Sequence, residues 1–312
     1  MPDVVTTSTQ VPAGLDTYYD RVILRSATPK LVHLKFAQDA MLDEKNGSIY
    51  KWHRYNDLTD ATTPLPEGTD PDAQPMTNVS LTAQVAWYGT YLKITDVVDM
   101  TNQDPVLTIA ADKLGRNEGK TFDTLARDVL AATASMVNAA GGSNGNTPTE
   151  ITRGDIDSVV ETLLGNDADF MTPMISAGQG QGTLPIRPAF WGIIKSTVVM
   201  DLESCVGFTS VSGYSAQQGV DEAEWGAVGN TRWLQSSNAH QSSDATPIYG
   251  LPIIARDAYG TVNLGRTKNV VKGFDTAGSP LNRYATSGWI CPWACRILND
   301  LFILQLRVTA AA

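Results

Sequence analysis

The alternation of apolar and polar positions predicts an extended stretch in the first third of the chain. From Val79 to Trp87 every second residue is apolar, and residues 79–95 are typical of one strand. The aromatic-rich segment 48–56 predicts a second strand. A strand as long as 79–95 would span about 50 Å at about 3.3 Å per residue, and an isolated two-stranded ribbon is only marginally stable in water. We therefore expect the ribbon to lie on a neighbouring subunit.

The segment between these two strands predicts an exposed tip. Residues 58–77 contain four prolines and four acidic residues, and no Lys or Arg. Proline cannot donate a ladder hydrogen bond, so this segment cannot continue the ribbon as a regular sheet. We expect the tip to be ordered by contacts between subunits.

Apolar residues at three- and four-residue spacing predict one long helix from Asp104 to about residue 140. Asp104 is a suitable N-cap, Pro105 suits the first turn, and Gly141 and Gly142 predict the end. A continuous helix of that length would be about 50 Å long. The glycines at 115 and 119 allow a bend or a break.

The pattern beyond residue 150 predicts a separate α/β lobe extending to about residue 287. It contains a helix that begins near Thr152 and carries an apolar stripe of Ile156, Val159, Val160, Leu163 and Leu164. A short strand at 190–194, a helix at 195–203 and a strand at 248–257 follow. A last strand is predicted within residues 296–309. Together the two halves of the chain predict an α+β protein.

The first segment of the chain predicts an arm. Residues 16–38 show helical pieces in which Tyr18 and Val22 share a face, and they are rich in basic and aromatic residues. This composition favours a partner surface, although an ordinary peripheral helix fits the periodicity equally well. Residues 1–14 have neither the basic start nor the apolar core of an export signal, so we expect the chain to be cytoplasmic when it is made.

The formal net charge of −10 argues against general binding of nucleic acid, because a protein that neutralises phosphates needs a basic face. The positions at which the sequence allows a local basic surface are Arg21, Arg25, Lys30 and Lys35. We expect these residues to pair mainly with acidic residues of neighbouring subunits, with at most weak and nonspecific contact to DNA.

No motif in the sequence predicts a catalytic, cofactor or metal site. Residues 115–121 resemble a phosphate loop, but three residues separate the glycines where the motif needs four, and the segment lies within a helical pattern. Cys291 and Cys295 lack the further ligands that a zinc site needs, so small buried side chains are the favoured interpretation. With Cys205 the cysteine count is odd, which is typical of a reducing compartment.

Several short segments, spread in order over most of the chain, carry a resemblance to a known family. They are 18–24 (YYDRVIL), 64–71 (PLPEGTDP), 88–96 (YGTYLKITD), 125–130 (LARDVL), 250–259 (ending in DAY) and 288–300 (from GW to LND). In this order they resemble the major capsid proteins of tailed bacteriophages. The resemblance is to the podovirus branch named for coliphage N-four, within the Hong-Kong-97-type capsid lineage.

The resemblance implies a fold with five parts. These are an N-terminal arm (1–45), an extended E-loop that lies across the adjacent subunit (46–100), a peripheral domain with a long spine helix (101–149), an axial domain (150–287) and a C-terminal return to the peripheral domain (288–312). It also implies homo-hexamers and homo-pentamers in an icosahedral virion shell around double-stranded DNA. The expected partners are further copies of the chain, a separate scaffolding protein, a portal and, as a further candidate, a decoration protein.

We therefore expect a structural protein and not an enzyme, with functional residues at subunit interfaces. The candidates are Tyr18, Arg21, Arg25, Pro64, Glu67, Asp70, Trp87 and Tyr88. One alternative is an encapsulin-like nanocompartment shell, which shares the fold. Another is a soluble hydrolase with a Ser or a pair of carboxylates in the α/β lobe, since such pairs are close in space and not in sequence.

Overall fold

The computed structural model describes most of the chain. The described residues are 5–6, 32–43, 45, 47–56, 58–65, 67–68, 70–101, 106–139, 147–172, 187–214, 221–244, 246–273, 280–281 and 283–311. Their helices are α1 (Asp96–Thr101), α2 (Val106–Ala131), α3 (Arg153–Gly165) and α4 (Val199–Ser204). Their strands are β1 (Val5–Thr6), β2 (Gln38–Leu42), β3 (Ile49–Tyr55), β4 (Asn78–Gln84), β5 (Ala86–Thr95), β6 (Met136–Asn138), β7 (Phe190–Lys195), β8 (Phe208–Ser210), β9 (Glu224–Val228), β10 (Thr231–Ser236), β11 (Tyr249–Ile254), β12 (Tyr259–Leu264), β13 (Lys268–Lys272), β14 (Tyr284–Ile297) and β15 (Ile303–Val308).

These elements form two large sheets and one ribbon, which confirms the predicted α+β class. The six-stranded sheet has the order β1-β5-β14-β12-β2, and β13 pairs with β14 beside β12. The seven-stranded sheet has the order β6-β15-β11-β7-β10-β9-β8. The ribbon consists of β3 and β4 alone. No helix in the described part of the chain is long and apolar enough to cross a bilayer.

The six-stranded sheet packs one face against α2. Along β14, Trp289, Cys291 and Trp293 are buried and contact Phe122 and other apolar residues of α2. Ile290, between the first two of them, is exposed on the opposite face. This alternation follows from the two-residue period of a strand, and it leaves the second face of the sheet without α2.

The seven-stranded sheet carries the larger core. Helix α3 begins at the N-cap Thr152, whose hydroxyl accepts a hydrogen bond from the backbone N–H of Asp155, while the Asp155 carboxylate accepts from the Thr152 backbone. The predicted apolar stripe of α3 is confirmed at Ile156, Val159, Val160 and Leu163, which are buried against the sheet. Leu164, which the pattern placed in the same stripe, is exposed.

The long helix is shorter than the pattern predicted. α2 ends at Ala131 and is about 39 Å long at 1.5 Å per residue, and it continues through Gly115 and Gly119 without a break. The prediction that it reaches Gly141 is wrong, because residues 136–138 form β6 and pair in parallel with β15. Met136 therefore lies on a strand and is exposed.

The single strand predicted for residues 79–95 is also wrong, because the stretch divides at Val85. β4 pairs only with β3, whereas β5 pairs with β14 from Ala86 to Thr95. The change of partner moves Trp87 out of the apolar row of β4, where Ala83 and Val85 are buried, and leaves Trp87 largely exposed.

The last strands do not follow the division predicted at residue 287. β12, β13 and the start of β14 lie in the six-stranded sheet with β5, although the sequence placed them in the α/β lobe. Conversely, β15 pairs with β11 inside the seven-stranded sheet. Gln305 of β15 is buried on the sheet face opposite α3, because its side-chain amide packs against Gly250 of the neighbouring strand β11.

Candidate functional site

The ribbon packs on the six-stranded sheet from its base to its midpoint. Ala83 and Val85 pack against Val262 and Ala294 of the six-stranded sheet, together with other apolar residues of that face. Midway along β3, the indole of Trp52 lies over Gly260 of β12. β3 and β4 are seven residues long, which corresponds to about 24 Å. The ribbon therefore crosses from β5 over β14 and β12 towards the β2 edge of the sheet.

The tip begins beyond the far end of the ribbon. Asn56 and Thr77 continue the pairing, and Thr59 and Gln74 exchange two hydrogen bonds of 2.9 Å between the Gln74 amide and the Thr59 backbone. Every described residue of 58–77 is exposed, including the apolar side chains of Leu58, Leu65 and Met76. Exposed apolar side chains on an acidic, proline-rich segment are typical of a surface that contacts a partner.

The structure separates the predicted interface residues into three groups. Pro64, Glu67 and Asp70 lie on the exposed tip. Trp87 lies on β5, exposed on the sheet face that does not contact α2, whereas Tyr88 is half-buried and packs edge-on against Trp293 at a ring distance of 6.5 Å. The remaining three candidates, Tyr18, Arg21 and Arg25, lie outside the described residues.

Trp87 lines a groove that the sequence patterns did not identify. The groove has a volume of about 410 Å³ and lies over β5, β13 and β14. Trp87 and Tyr91 form one wall and are 62% and 63% exposed. Val270 and Lys272 of β13 and Ile290 of β14 complete the lining. The residues of β13 and β14 lie more than 170 positions from Trp87 and Tyr91 in the chain, and only the strand pairing brings the two groups together.

Two glycines keep the floor of the groove open. Gly288 lies between Tyr91 and Val270 in the strand pairing, and Gly89 lies opposite Ile290. A Cβ on Gly288 would come within 2.6 Å of the Tyr91 Cβ, and a Cβ on Gly89 would come within 2.6 Å of the Trp289 carbonyl oxygen. Any larger residue at either position would therefore fill the floor or displace the strand.

The groove is basic as well as apolar. Lys93, Lys268 and Lys272 share its face of the sheet, and residues 86–95, 268–272 and 284–297 contain no acidic residue. The Lys93 ammonium lies 5.0 Å from the centre of the Tyr284 ring. Lys268 and Lys272 are exposed. Exposed cations beside aromatic side chains favour an acidic partner.

A second polar cluster joins the end of the predicted arm to both sheets. The His33 backbone N–H donates to Oδ1 of Asp123 on α2 at 2.9 Å, and the Tyr259 hydroxyl of β12 donates to the His33 carbonyl at 2.5 Å. Phe36 stacks on Trp191 of β7 with ring centres 5.1 Å apart. Residues 33–36 therefore hold the chain where it leaves the predicted arm.

Lys35 lies beside this polar cluster, and its ion pair contradicts one prediction. Its Nζ donates to both carboxylate oxygens of Asp221 at 2.6 and 2.8 Å, so it pairs within its own chain. The prediction that Lys35 pairs with an acidic residue of a neighbouring subunit is wrong. The sequence carried no signal for this contact, because the two residues are 186 positions apart.

The most deeply buried ion pair supports the seven-stranded sheet. Arg232 donates from Nε and Nη2 to the two carboxylate oxygens of Glu224 at 2.7 and 2.5 Å. The Tyr214 hydroxyl donates to the same carboxylate at 2.8 Å, and the guanidinium lies 4.5 Å from the Trp191 ring centre. Burial and the Glu224 charge raise the pKa of Tyr214, which keeps its proton on the donor. This arrangement joins β9, β10 and β7 through one buried ion pair and so acts as a structural lock.

The cysteines have the environment of buried thiols. Burial raises the pKa of Cys295 to about 12 and raises that of Cys291 and Cys205, so none of the three is a thiolate at neutral pH. Within the described ranges, no group of three His, Cys, Asp or Glu side chains is arranged to hold a metal ion.

Comparison with known proteins agrees with this picture. The family model described as phage capsid protein matches residues 78–283, which is more than half of the chain. No curated protein matches the chain. The capsid of Ralstonia phage GP4 has a similar structure, with a TM-score of 0.63 and 12% identity over 89% of this chain and 86% of that chain.

Two further solved structures share the fold. The head structure of Helicobacter pylori bacteriophage KHP40 has a TM-score of 0.64 and 9% identity over 88% of this chain and 87% of that chain. The holo-SrpI encapsulin complex from Synechococcus elongatus PCC 7942 has a TM-score of 0.54 and 8% identity over 99% and 94%. The match to the family model over residues 78–283 shows that this chain belongs to the phage capsid protein family, with the Hong-Kong-97-type fold.

Proposed function

We propose that this chain is the major capsid protein of a tailed phage and that it assembles with itself into hexamers and pentamers of an icosahedral head. The observation that carries the proposal is the ribbon, whose base packs on the sheet while its exposed tip projects beyond the sheet. A two-stranded ribbon of this kind is marginal alone and is stabilised when a second surface covers it. Repetition of one such contact around an axis gives closed rings.

The described elements suggest a division of labour. The ribbon and its tip correspond to the E-loop, and α2 with the six-stranded sheet corresponds to the peripheral domain. The seven-stranded sheet with α3 and α4 corresponds to the axial domain, whose edges would meet at the centre of a capsomer. We also infer that the chain belongs to the N-four-like branch, which is supported by the ordered segments from YYDRVIL to LND. A separate scaffolding protein, a portal and double-stranded DNA complete the proposed head.

The encapsulin-like reading is the second candidate, since one encapsulin shares the fold over nearly the whole chain. The match to the phage capsid family favours a viral head. The two candidates predict different contents for the assembled shell, because a viral head packages a genome and an encapsulin packages cargo protein.

Deletion of the tip tests the proposal directly. A chain that lacks residues 62–73 should remain a soluble, folded subunit, because the described residues of this segment are exposed and support no core. It should fail to form closed shells under conditions in which the full chain, with its scaffold if needed, forms them.

A second variant separates the chemistry of the tip from its length. The triple substitution Pro64→Ala, Glu67→Gln and Asp70→Asn keeps every residue position, and we expect it to lower the yield of shells by about tenfold or more. Sedimentation velocity gives the yield for both variants. Normal shells from the deletion variant would refute the role assigned to the tip.

A further inference from the structure

We propose that the aromatic groove over β5, β13 and β14 is the receptor for the acidic, proline-rich tip of a second copy of the chain. This inference rests on the proposed function and names the surface that receives the tip. The groove is defined by Trp87, Tyr91, Val270, Lys272 and Ile290 around the floor formed by Gly89 and Gly288.

The side chains of the groove suit a proline-rich segment. Extended chains rich in proline dock in grooves lined with aromatic rings, because the preformed polyproline conformation loses little entropy on binding. Trp87 and Tyr91 supply two exposed rings on one face of β5, and Ile290 and Val270 supply aliphatic surface beside them. The tip presents Pro64, Pro71 and Pro75 together with exposed apolar side chains, all of them outside the core.

The charges of the two surfaces are complementary. Asp60, Glu67, Asp70 and Asp72 give residues 58–77 four negative charges and no positive charge. On the groove face, Lys268 and Lys272 are exposed and Lys93 lies beside them, with no acidic residue in those strands. Opposite charges at the rim of an interface steer association and fix orientation, so the contact should weaken as salt rises.

The direction of the ribbon excludes a contact within one chain. β14 carries both surfaces on one face, because Ile290 in the groove and Ala294 under the ribbon are four residues apart on the same strand. From Ala294 the ribbon crosses to Gly260 of β12, away from β5 and its groove residues Trp87 and Tyr91. β3 ends at Tyr55, three residues beyond Trp52, and the tip at residues 58–77 therefore lies past the opposite edge. A second copy must supply the tip that fills each groove.

Such a contact joins two different surfaces of the same protein. A head-to-tail contact of this type leaves one free tip and one free groove on every open chain of subunits. Only closure into a ring satisfies all of them, which fits the hexamers and pentamers of the proposed function.

The experiment measures binding of the tip as a peptide, so it does not depend on shell formation. A labelled peptide with the sequence of residues 58–77 is titrated by fluorescence anisotropy into the chain that lacks residues 62–73. We expect saturable binding that weakens with added salt. Binding should be at least about tenfold weaker to the Trp87→Ala chain and to the Lys268→Glu, Lys272→Glu chain.

A charge-swapped peptide gives the decisive comparison. The peptide with Asp70→Lys and Asp72→Lys should bind the Lys268→Glu, Lys272→Glu chain more tightly than it binds the chain with both lysines. Lys113→Glu on the exposed surface of α2 is the matched control. It should change the affinity for the native peptide and for the charge-swapped peptide by no more than about twofold. Circular dichroism of each variant confirms that the chain is folded.

The outcomes separate this inference from the proposed function. The groove is overturned as the receptor, even where the full chain forms normal shells, by either of two results: no peptide binding, or binding to the Trp87→Ala chain and the Lys268→Glu, Lys272→Glu chain that is as tight as binding to the chain without these substitutions. Binding with the expected pattern would support the groove, and failure of the full chain to assemble would then count against the capsid role alone.

Discussion

The Trp52 indole of the ribbon lies directly over Gly260 of β12, and a Cβ on Gly260 would come within 2.9 Å of the Trp52 Cζ2 atom. Only the absence of a side chain at position 260 lets the ring lie this close to the sheet. The contact fixes the direction in which the ribbon leaves the sheet, and thereby the position of the tip at residues 58–77.

The first prediction concerns this contact. The substitution Gly260→Val should push Trp52 away from β12 and redirect the ribbon, with a cost of about 1–3 kcal/mol in the free energy of unfolding from overpacking. The yield of closed shells should fall more steeply than the stability of the subunit does. Urea unfolding and electron microscopy of the same preparation measure the two effects.

Gly165→Val is the matched control, because a Cβ at Gly165 would meet no atom within 4 Å. It should leave shell yield unchanged. Equal yields for Gly260→Val and Gly165→Val would show that the Trp52 contact does not orient the ribbon.

The second prediction concerns the carboxylate of Asp123. Burial alone would raise its pKa, but hydrogen bonds from His33 and from the Asn238 amide, together with the His33 charge interaction, lower the pKa below its ordinary value of 3.8. Asp123→Asn places an amide N–H₂ opposite the Asn238 amide, whose Nδ2 donates to Oδ2 at 2.8 Å in the native chain. We expect a loss of about 1–3 kcal/mol in the free energy of unfolding at pH 7.

The pH dependence follows from the direction of that shift. A lowered pKa means that the ionised Asp123 stabilises the folded chain above the ordinary carboxyl pKa, and that this stability is lost as pH falls through the lower folded value. The difference between the native chain and Asp123→Asn should therefore shrink below about pH 4. A difference that stays constant from pH 7 to pH 3 in urea titrations would contradict the ionised state of Asp123.

The third prediction compares a buried ion pair with an exposed one. Arg232→Met leaves the Glu224 carboxylate buried without its guanidinium partner, which should cost about 3–5 kcal/mol. Arg116→Met removes an exposed pair with Asp112 on α2 and should cost less than about 1 kcal/mol. Thermal unfolding of the subunits ranks the two variants, and equal losses would mean that the Arg232 pair does not lock the sheet.

The helices and strands that could be predicted are those whose signals lie within the element's own sequence. The α3 helix was predicted, with its start near Thr152, from the apolar stripe that includes Ile156 and Leu163, because this spacing is a local signal within one helix. The end of α2 was misplaced because Met136 and Val137 continue an apolar pattern that β15 draws into a sheet. Pairing with a strand that is about 170 residues away leaves no mark on local periodicity.

The same difference between local signals and long-range strand pairing applies to the candidate site. The tip was predicted from its prolines and acids, and Trp87 was placed in the alternating strand at 79–95. The groove that contains Trp87 was missed, since Val270 and Ile290 reach it only through the register of β13 and β14. The one available signal was the alternation of Trp289, Ile290 and Cys291, which leaves Ile290 on the face opposite the core.

The fourth prediction concerns DNA. With a net charge of −10, the purified subunit should bind duplex DNA only weakly, with a Kd of about 10⁻⁴ M or weaker near physiological salt and no sequence preference. Lys35 adds little to DNA binding because Asp221 neutralises it within the chain. Gel-shift titrations over a range of salt concentrations measure this affinity, and tight, sequence-selective binding would contradict a container role.

Negative-stain electron microscopy of the purified full-length chain, with its scaffolding protein where required, tests the central claim most directly. The account predicts closed shells of uniform diameter, together with free hexameric or pentameric capsomers. A stable, compact monomer under every assembly condition would contradict it.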